Sequence, residues 1–216
     1  MDRETTRGLQ AAVAAYAGWG LLTIYWKQLS GFAAVDLVGW RVLTSALVMT
    51  AIVTVSGRWR VLIDAMRDRS TRATIAVAAA VLTVNWSTYV WAVVNGHVLE
   101  TALGYFLAPL GTLAIGVLAY GERLTAYKRV SIACAVAAIV VLVVSYGEVP
   151  WVAILLTLTW CIYAIAKRRV PLDPIVSLAG ELVVLAPVTA AVVAYTFIRP
   201  DGLPRVASGL DWPLVI

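Results

Sequence analysis

The sequence is poor in charged residues. Of its 216 residues only 13% are Asp, Glu, Lys or Arg, whereas an ordinary soluble domain carries roughly 25%. Hydrophobic residues make up 62% of the chain, and the mean hydropathy is +0.87. Apolar stretches of about 20 residues, long enough to cross a lipid bilayer as helices, recur between short polar breaks. We therefore predict an all-α fold, a polytopic transmembrane helical bundle.

The apolar stretches divide the chain into seven predicted spans. The polar breaks between them are short, and none has the composition of a soluble domain or a low-complexity linker. We predict membrane-spanning helices over residues 8–26, 33–56, 73–95, 99–120, 130–146, 151–166 and 175–198.

Residues that carry out chemistry are also scarce. Both cysteines, Cys134 and Cys161, fall inside predicted spans, which excludes a disulfide framework or a cysteine-based metal site in the loops. The single histidine, His97, lies in a turn, and the chain has no H-E-x-x-H motif, no P-loop and no Ser-His-acid set at membrane depth. The sequence therefore predicts that the protein is not an enzyme and holds no catalytic residue, metal or cofactor.

Lysine is missing from the middle of every predicted span. A retinal-type protein with seven helices needs a buried lysine for its Schiff base. Here the lysines stand at span ends or in loops, which argues against that class; they are Lys27, Lys128 and Lys167.

Positive charge is strongly biased to one side of the predicted membrane. If the N-terminus is inside, the outer segments hold only Lys27, Arg199 and Arg205. The inner segments then hold Arg3, Arg7, Arg58, Arg60, Arg67, Arg69, Arg72, Arg123, Lys128, Arg129, Lys167, Arg168 and Arg169. Such a bias is typical of membrane proteins with a cytoplasmic N-terminus, so the basic character indicates topology and not nucleic-acid binding.

Two parts of the chain show a similar arrangement of residues. Trp19 precedes Arg41 by 22 residues, and Trp160 precedes Glu181 by 21. Because the second pair begins five spans later, a repeat of that length is inverted in the membrane, as in many secondary transporters. We predict a first five-helix repeat over residues 1–146 and an incomplete second repeat over 147–216. The ending "SGLDWPLVI" favours a chain truncated at the start of an eighth helix.

Two charged residues fall deep inside predicted spans. Arg41 lies near the middle of the second span and Glu181 lies in the seventh, on opposite sides of the midplane. Buried charges in membrane helices are costly and usually face partners or a transport path. Two separate polar anchors are expected here and not a direct ion pair. Each residue is either a clamp between helices or part of a substrate path.

The segment "NWSTYVWAVVNGHVLETALGYFLAPL", residues 85–110, concentrates polar and aromatic residues. Asn85 and Trp86 lie near the centre of the third span, and Tyr89 follows Asn85 by one turn on the same face. One interpretation is a cavity for a flat or cationic organic solute. The alternative is interhelical hydrogen bonding with an aromatic belt. The predicted substrate path comprises Asn85, Trp86, Tyr89, Arg41, Tyr105, Glu181 and Trp19.

Three residues allow more than one role. Glu100 could bind a proton, attract a cation or simply stabilise the start of its helix, where negative charge is favoured. Glu181 is the other candidate proton site. Pro109 interrupts the hydrogen bonding of its helix and could serve as a hinge or as a packing kink, with Gly104 and Gly111 on either side.

Several motifs in order resemble one known family. "NWSTYVWAVVNGHVLETALGYFLAPLGTLAIGVLAYGERLT", "GWGLLTIYWKQL", "GWRVLTSAL" and "SYGEVPWVAILLTLTWCIYAIAKRRVPLDPIVSLAGEL" are similar to the RarD branch of EamA-type transporters, in the drug/metabolite transporter superfamily. The resemblance implies a ten-helix 5+5 inverted-repeat carrier of the bacterial cytoplasmic (inner) membrane, of which this chain holds the first seven helices. Beyond a link to chloramphenicol sensitivity, it names no solute.

Two functional hypotheses follow. The first is a secondary transporter that moves a small organic solute by alternating access, with or without protons. The second is a non-transporting accessory membrane subunit or an inactive fragment of such a carrier. The expected partners are the solute, protons, the lipid bilayer and a second copy of the chain in a homodimer.

Overall fold

The computed structural model describes residues 3–121, 125–147, 149–209 and 211–215. Arg123, one of the predicted inner basic residues, lies outside these ranges. Within them the chain is helical and forms no strand. The helices are α1 Arg3–Gln28, α2 Ala34–Val55, α3 Trp59–Arg67, α4 Arg69–Val94, α5 Val98–Tyr120, α6 Ala126–Tyr146, α7 Trp151–Arg169, α8 Pro174–Ile198, α9 Leu203–Val206 and α10 Trp212–Val215.

A helix forms at each of the seven predicted spans. Five stretches are long and apolar enough to cross a membrane: α2, α4, Val98–Val117 of α5, α7 and α8. In α6 the apolar stretch is shorter, Arg129–Val141, and α1 begins with polar residues that lower its hydropathy. The polytopic all-helical class is therefore confirmed.

The short helix α3 was not predicted, because its segment was read as a polar loop. Its apolar residues follow helical spacing, and Leu62 and Ala65 are buried where α3 packs against α8 and α4. Arginines occupy the other face, so the helix is amphipathic. Their charge lowers the average hydropathy of the segment, and for that reason an analysis of average hydropathy did not detect the helix.

Acidic caps start two of the long helices. The Asp68 carboxylate accepts a hydrogen bond from the Thr71 backbone N–H at 2.7 Å at the start of α4, and hydrogen bonds from Thr71 lower the pKa of Asp68. Asp173 accepts bonds from the backbone of Ile175 and Val176 at the start of α8, where Pro174 takes the first helical position.

Helix α4 lies at the centre of the bundle. It packs against α7 and α5 on one side and against α2 and α8 on the other. The pairs α5–α7 and α2–α8 form the other two extensive contacts, and in the described part of the chain α6 packs against α5. One side of α4 therefore faces the pair α5–α7 and the other side faces the pair α2–α8, and a cavity lies on each side.

One buried acid near the predicted outer end was missed by the sequence analysis. Asp36, 1% exposed at the start of α2, pairs with Arg199 at 3.3 Å and accepts a hydrogen bond from the Leu203 backbone N–H at 3.1 Å. The pair joins the start of α2 to the segment that follows α8. Nothing local marks Asp36 as buried, since its partners lie more than 160 residues along the chain.

Candidate functional site

An aromatic cavity of about 240 Å³ lies between α1, α4, α5 and α7. Rings from all four helices line it, together with Thr23, Thr101 and Pro109. The aromatic lining residues are Tyr16, Trp19, Tyr89, Tyr105 and Trp160. Three predicted path residues, Trp19, Tyr89 and Tyr105, thus share one space.

The rings of this aromatic cavity touch one another around Tyr105. Its ring centroid lies 5.8 Å from that of Trp19, 5.6 Å from Tyr89 and 6.1 Å from Trp160. Trp19 and Trp160 are 5.9 Å apart, edge to face. These spacings are those of favourable aromatic pairs, so the rings hold one another in place and leave faces for a flat solute.

Asn85 lies beside this cavity and not among its lining residues. Its side chain is fully buried and uses all its groups: Nδ2 donates to the Leu156 carbonyl at 3.0 Å and to Thr159 Oγ1 at 2.7 Å, and Oδ1 accepts from the Tyr105 hydroxyl at 3.2 Å. These contacts are interhelical hydrogen bonds, which the sequence analysis gave as the alternative to a solute cavity. A place for Asn85 in the substrate path stays a prediction.

Replacing Asn85 by alanine is expected to lower the free energy of unfolding by about 2 kcal/mol, because three hydrogen bonds are lost and the Tyr105 hydroxyl is left without its partner. Asn95→Ala is the control, since the exposed Asn95 side chain bonds only to a carbonyl of its own helix. We expect a change of less than about 0.5 kcal/mol there. Equal unfolding midpoints of the two variants in detergent micelles would contradict the assignment of Asn85 as an interhelical connection.

A second cavity, the charged cavity, measures about 350 Å³ and lies between α1, α2, α4 and α8. Arg41, Glu181 and Trp86 line it together with Trp26 and mostly aliphatic side chains. The remaining predicted path residues other than Asn85 are therefore collected here. The substrate path proposed as one site divides into two cavities on the two sides of α4.

Arg41 and Glu181 face the same charged cavity without pairing. Arg41 donates from Nη2 to the hydroxyl of Tyr25, and its guanidinium lies over the rings of Tyr25 and Trp26, 5.0 Å and 5.4 Å from their centroids. Among the described residues no carboxylate lies within ion-pair distance of Arg41.

Glu181 is only 1% exposed and has its own cation. Lys167 Nζ lies 2.7 Å from Glu181 Oε1 and also donates to Ser177 Oγ. The Tyr163 hydroxyl donates to Oε2 at 3.4 Å. Lys167 was assigned to a loop, yet its long side chain reaches back into the bundle, as lysines at helix ends commonly do.

Glu100 lies at the predicted outer end of the bundle and is not among the lining residues of either cavity. Its carboxylate contacts His97 Nδ1 at 2.8 Å and accepts a hydrogen bond from the Val152 backbone N–H, the start of α7, at 3.3 Å. Trp91 stacks on the His97 ring at 5.3 Å and lies 5.3 Å from Trp151. The carboxylate thus meets the starts of two helices, where negative charge is stabilised.

Pro109 does not break α5, which runs from Val98 to Tyr120 without interruption. The flanking glycines allow close packing of α5 on α7. A Cβ at Gly104 would lie 3.1 Å from the Ala153 Cα, and one at Gly111 would lie 2.7 Å from Cys161 Sγ. The close helix contact is therefore present, and a hinge at Pro109 stays a prediction.

Several site residues were missed by sequence reasoning. Trp160 was noted only as part of the internal repeat, and Tyr25 and Tyr163 were not singled out. The available signal was positional: Tyr163 and Lys167 are four residues apart and so share a helix face, and Glu181 lies on the next helix.

Comparison with known proteins gives one family match. The model of the EamA-like transporter family matches residues 6–144. The chain is 35% identical to "Protein RarD" of Streptomyces exfoliatus over 184 residues, covering 85% of the chain and 58% of that protein. It is 28% identical to "Uncharacterized transporter YojE" of Bacillus subtilis, over 98% of the chain and 72% of the relative.

A third relative is "Chloramphenicol-sensitive protein RarD" of Pseudomonas aeruginosa, 28% identical over 88% of the chain and 64% of that protein. The chain thus spans about three fifths to three quarters of the lengths of these three curated relatives. No solved structure matches it.

Proposed function

The chain belongs to the EamA-like transporter family, and on that premise we propose that it acts as a secondary transporter carrying a small organic solute by alternating access. The predicted resemblance to the RarD branch is confirmed by the relatives of that name. One of the relatives is named as a transporter and another as a chloramphenicol-sensitive protein. The multi-pass membrane character is confirmed by the five apolar helices.

The proposed topology puts the N-terminus in the cytoplasm of a bacterial cell, with the chain in the inner membrane. The charge bias sets this orientation. Contacts between loops support the alternation of the spans across the membrane, because loops assigned to one side meet one another. Arg58 and Asp173, both in predicted inner segments, form an ion pair of 2.6 Å. Asp36 and Arg199, both near predicted outer ends, form another.

The proposed inverted repeat divides the chain into a first unit over 1–146 and a second that begins at 147. Residues matched by the internal spacing come together in space, which supports this division. Trp19 of α1 and Trp160 of α7 touch in the aromatic cavity. Arg41 of α2 and Glu181 of α8 line the charged cavity. Both cavities thus lie between the two proposed repeats, where secondary transporters bind solute.

The observation that carries the transport proposal is the ring of aromatic faces around Tyr105. A lining of aromatic rings with few polar groups suits a flat, partly apolar compound. Aromatic contacts of this kind contribute about 0.5–1.5 kcal/mol each, which sets the expected size of a mutational effect.

Flux through proteoliposomes tests the proposal. The probes are radiolabelled aromatic acids, amines and neutral compounds, with chloramphenicol among the neutral ones. We expect at least one to be carried, and Tyr105→Leu to slow its flux about threefold to tenfold, because the aromatic contact is lost. Tyr127→Leu is the matched control, since Tyr127 is 86% exposed on α6.

Flux no faster than through empty liposomes for every probe would overturn the transport proposal and favour the accessory-subunit hypothesis. Equal flux in Tyr105→Leu and Tyr127→Leu would remove the aromatic cavity from the path. Both variants are first checked for an unchanged helical content and a single size-exclusion peak, so that a misfolded chain is not counted as a transport defect.

Proton coupling is proposed through one of two acids, and both stay candidates. Glu181 faces the charged cavity but is paired with Lys167, whereas Glu100 is paired with His97 near the predicted outer surface. Flux driven by an imposed pH gradient in Glu100→Gln and Glu181→Gln decides between them. Flux that is still driven by the pH gradient in both variants would refute the proposal that either acid is the proton site.

A further inference from the structure

Arg41 carries more hydrogen-bond donors than the bundle satisfies. A guanidinium has five N–H groups, and the described residues supply one acceptor, the hydroxyl of Tyr25. The Nε atom is buried, and no described residue forms a hydrogen bond with it. The nearby rings of Tyr25 and Trp26 stabilise the positive charge but accept no strong hydrogen bond.

A second unpaired donor belongs to the same cavity. Trp26 lines the charged cavity, its side chain is 2% exposed, and its Nε1 forms no hydrogen bond with the part of the chain that the structure describes. Indole N–H groups that are buried this deeply usually find an acceptor, because an unpaired one is costly. Arg41 and Trp26, which are neighbours in the cavity lining, therefore both hold a donor for which a ligand can supply the acceptor.

The charges around the charged cavity leave a positive excess. Glu181 is the only acid among its lining residues, and it is matched by Lys167 and bonded by Tyr163. The charge of Glu181 is therefore already balanced and does not require a cationic solute. Arg41 has no carboxylate partner among the described residues, so its charge is the one left unbalanced.

We propose that the charged cavity binds an organic anion, with a solute carboxylate paired to the guanidinium of Arg41 and hydrogen-bonded by the indole N–H of Trp26. Arg41 offers the planar fork that fits two carboxylate oxygens. The rest of the lining, with Leu22, Leu82 and Leu178 among it, suits an apolar body. This inference deepens the transport proposal and rests on it for the solute's passage, but binding is measured without flux.

The volume agrees with a small organic ligand. About 350 Å³ falls in the range of roughly 300–1,000 Å³ that small-molecule sites occupy. An inorganic ion would leave the aliphatic part of such a cavity unfilled. The chemistry therefore points to a carboxylate attached to a ring or chain, and not to a free anion.

Equilibrium binding to the purified chain in nanodiscs of zwitterionic lipid tests the inference. Three probes share one ring: indole-3-acetate is an anion, indole-3-acetamide is neutral and tryptamine is a cation. We expect indole-3-acetate to bind about 10- to 100-fold more tightly than indole-3-acetamide, because a charge-assisted pair with Arg41 is made only by the anion. Tryptamine is expected to bind most weakly.

Four variants assign the preference to residues. Arg41→Gln should abolish the preference for the anion, and Arg41→Lys should keep part of it because the charge remains without the planar fork. Trp26→Phe removes only the indole donor and should weaken indole-3-acetate binding about threefold to tenfold. Arg60→Gln is the control, since Arg60 is exposed on α3 outside the cavity.

Equal affinity for indole-3-acetate and indole-3-acetamide overturns the inference, as does an unchanged preference in correctly folded Arg41→Gln. A lipid headgroup is the other source of an anion. If added phosphatidylglycerol displaces indole-3-acetate, the cavity is a lipid site and the solute assignment is wrong. Binding with the expected preference but no flux of any probe would instead refute the transport proposal and leave the anion site standing.

Discussion

Replacing Lys167 by methionine is expected to lower the free energy of unfolding by about 3–5 kcal/mol, the largest change predicted for a single side chain of this bundle. The variant leaves the Glu181 carboxylate, 1% exposed, without the ammonium that lies 2.7 Å from it. Removing one partner of a buried pair costs this much because the other charge stays desolvated and uncompensated. Unfolding of the purified chain in detergent micelles gives the measurement.

The opposite substitution is expected to cost less. In Glu181→Gln the remaining ammonium belongs to Lys167, whose side chain is 26% exposed and can turn toward the predicted inner surface. The double variant Lys167→Met/Glu181→Gln should recover most of the stability lost in Lys167→Met. Lys27→Met, at an exposed lysine of α1, is the control. A cost for Lys167→Met no larger than for Lys27→Met would show that the pair is not a structural one.

Replacing Gly104 by leucine is expected to cost about 3 kcal/mol of unfolding free energy, since it forces α5 and α7 apart. A Cβ at this position lies 2.9 Å from the Leu156 Cβ and 3.1 Å from the Ala153 Cα and carbonyl oxygen. Two of these three neighbours are backbone atoms, which cannot rotate away as a flexible side chain can. The measurement is again the unfolding midpoint in detergent micelles.

Gly18→Leu is the matched control for Gly104→Leu. Gly18 also lies inside a long helix, but a Cβ there meets nothing within 4 Å. Its replacement should be neutral or stabilising by up to about 1 kcal/mol, because leucine is the better helix former. If both glycine variants shift stability alike, the proximity of α5 and α7 is not what limits residue size at position 104.

The segment that begins at Asn85 shows how one helix serves both cavities. Successive residues turn by about 100° around a helix axis, so Asn85 and Tyr89 share a face while Trp86 points to another. Asn85 and Tyr89 accordingly contact Tyr105 on α5, and Trp86 lines the charged cavity toward α2 and α8. The polar residues that looked like one lining from the sequence are therefore divided between two sites.

The two cavities also separate two kinds of recognition. Aromatic faces and few polar groups characterise the cavity around Tyr105, whereas unpaired donors characterise the one at Arg41. The sequence analysis combined both in a site for a flat or cationic solute. The pairing of Glu181 with Lys167 removes the argument for a cation at the charged cavity. Arg41, which has no carboxylate partner among the described residues, argues for an anion.

The sequence by itself determined the properties that depend on local composition. Average hydropathy predicted the helical membrane class and where the long helices lie, because a helix in lipid must satisfy its own backbone and bury apolar side chains. Motif order predicted the family, and spacing predicted that Trp19 corresponds to Trp160 and Arg41 to Glu181. Helix α3 escaped this approach because its apolar face is diluted by arginines.

Only the tertiary structure decided which polar groups meet. Asp36 pairs with Arg199, 163 residues away, Asn85 bonds to Thr159, 74 residues away, and Lys167 reaches Glu181 on the next helix. The low polarity of the surrounding sequence indicates that each of these groups requires a partner. It does not identify the partner, because that depends on which faces of distant helices pack against one another. Within the described part of the chain, helix packing thus gave Glu181 a partner and left Arg41 with donors that no residue accepts.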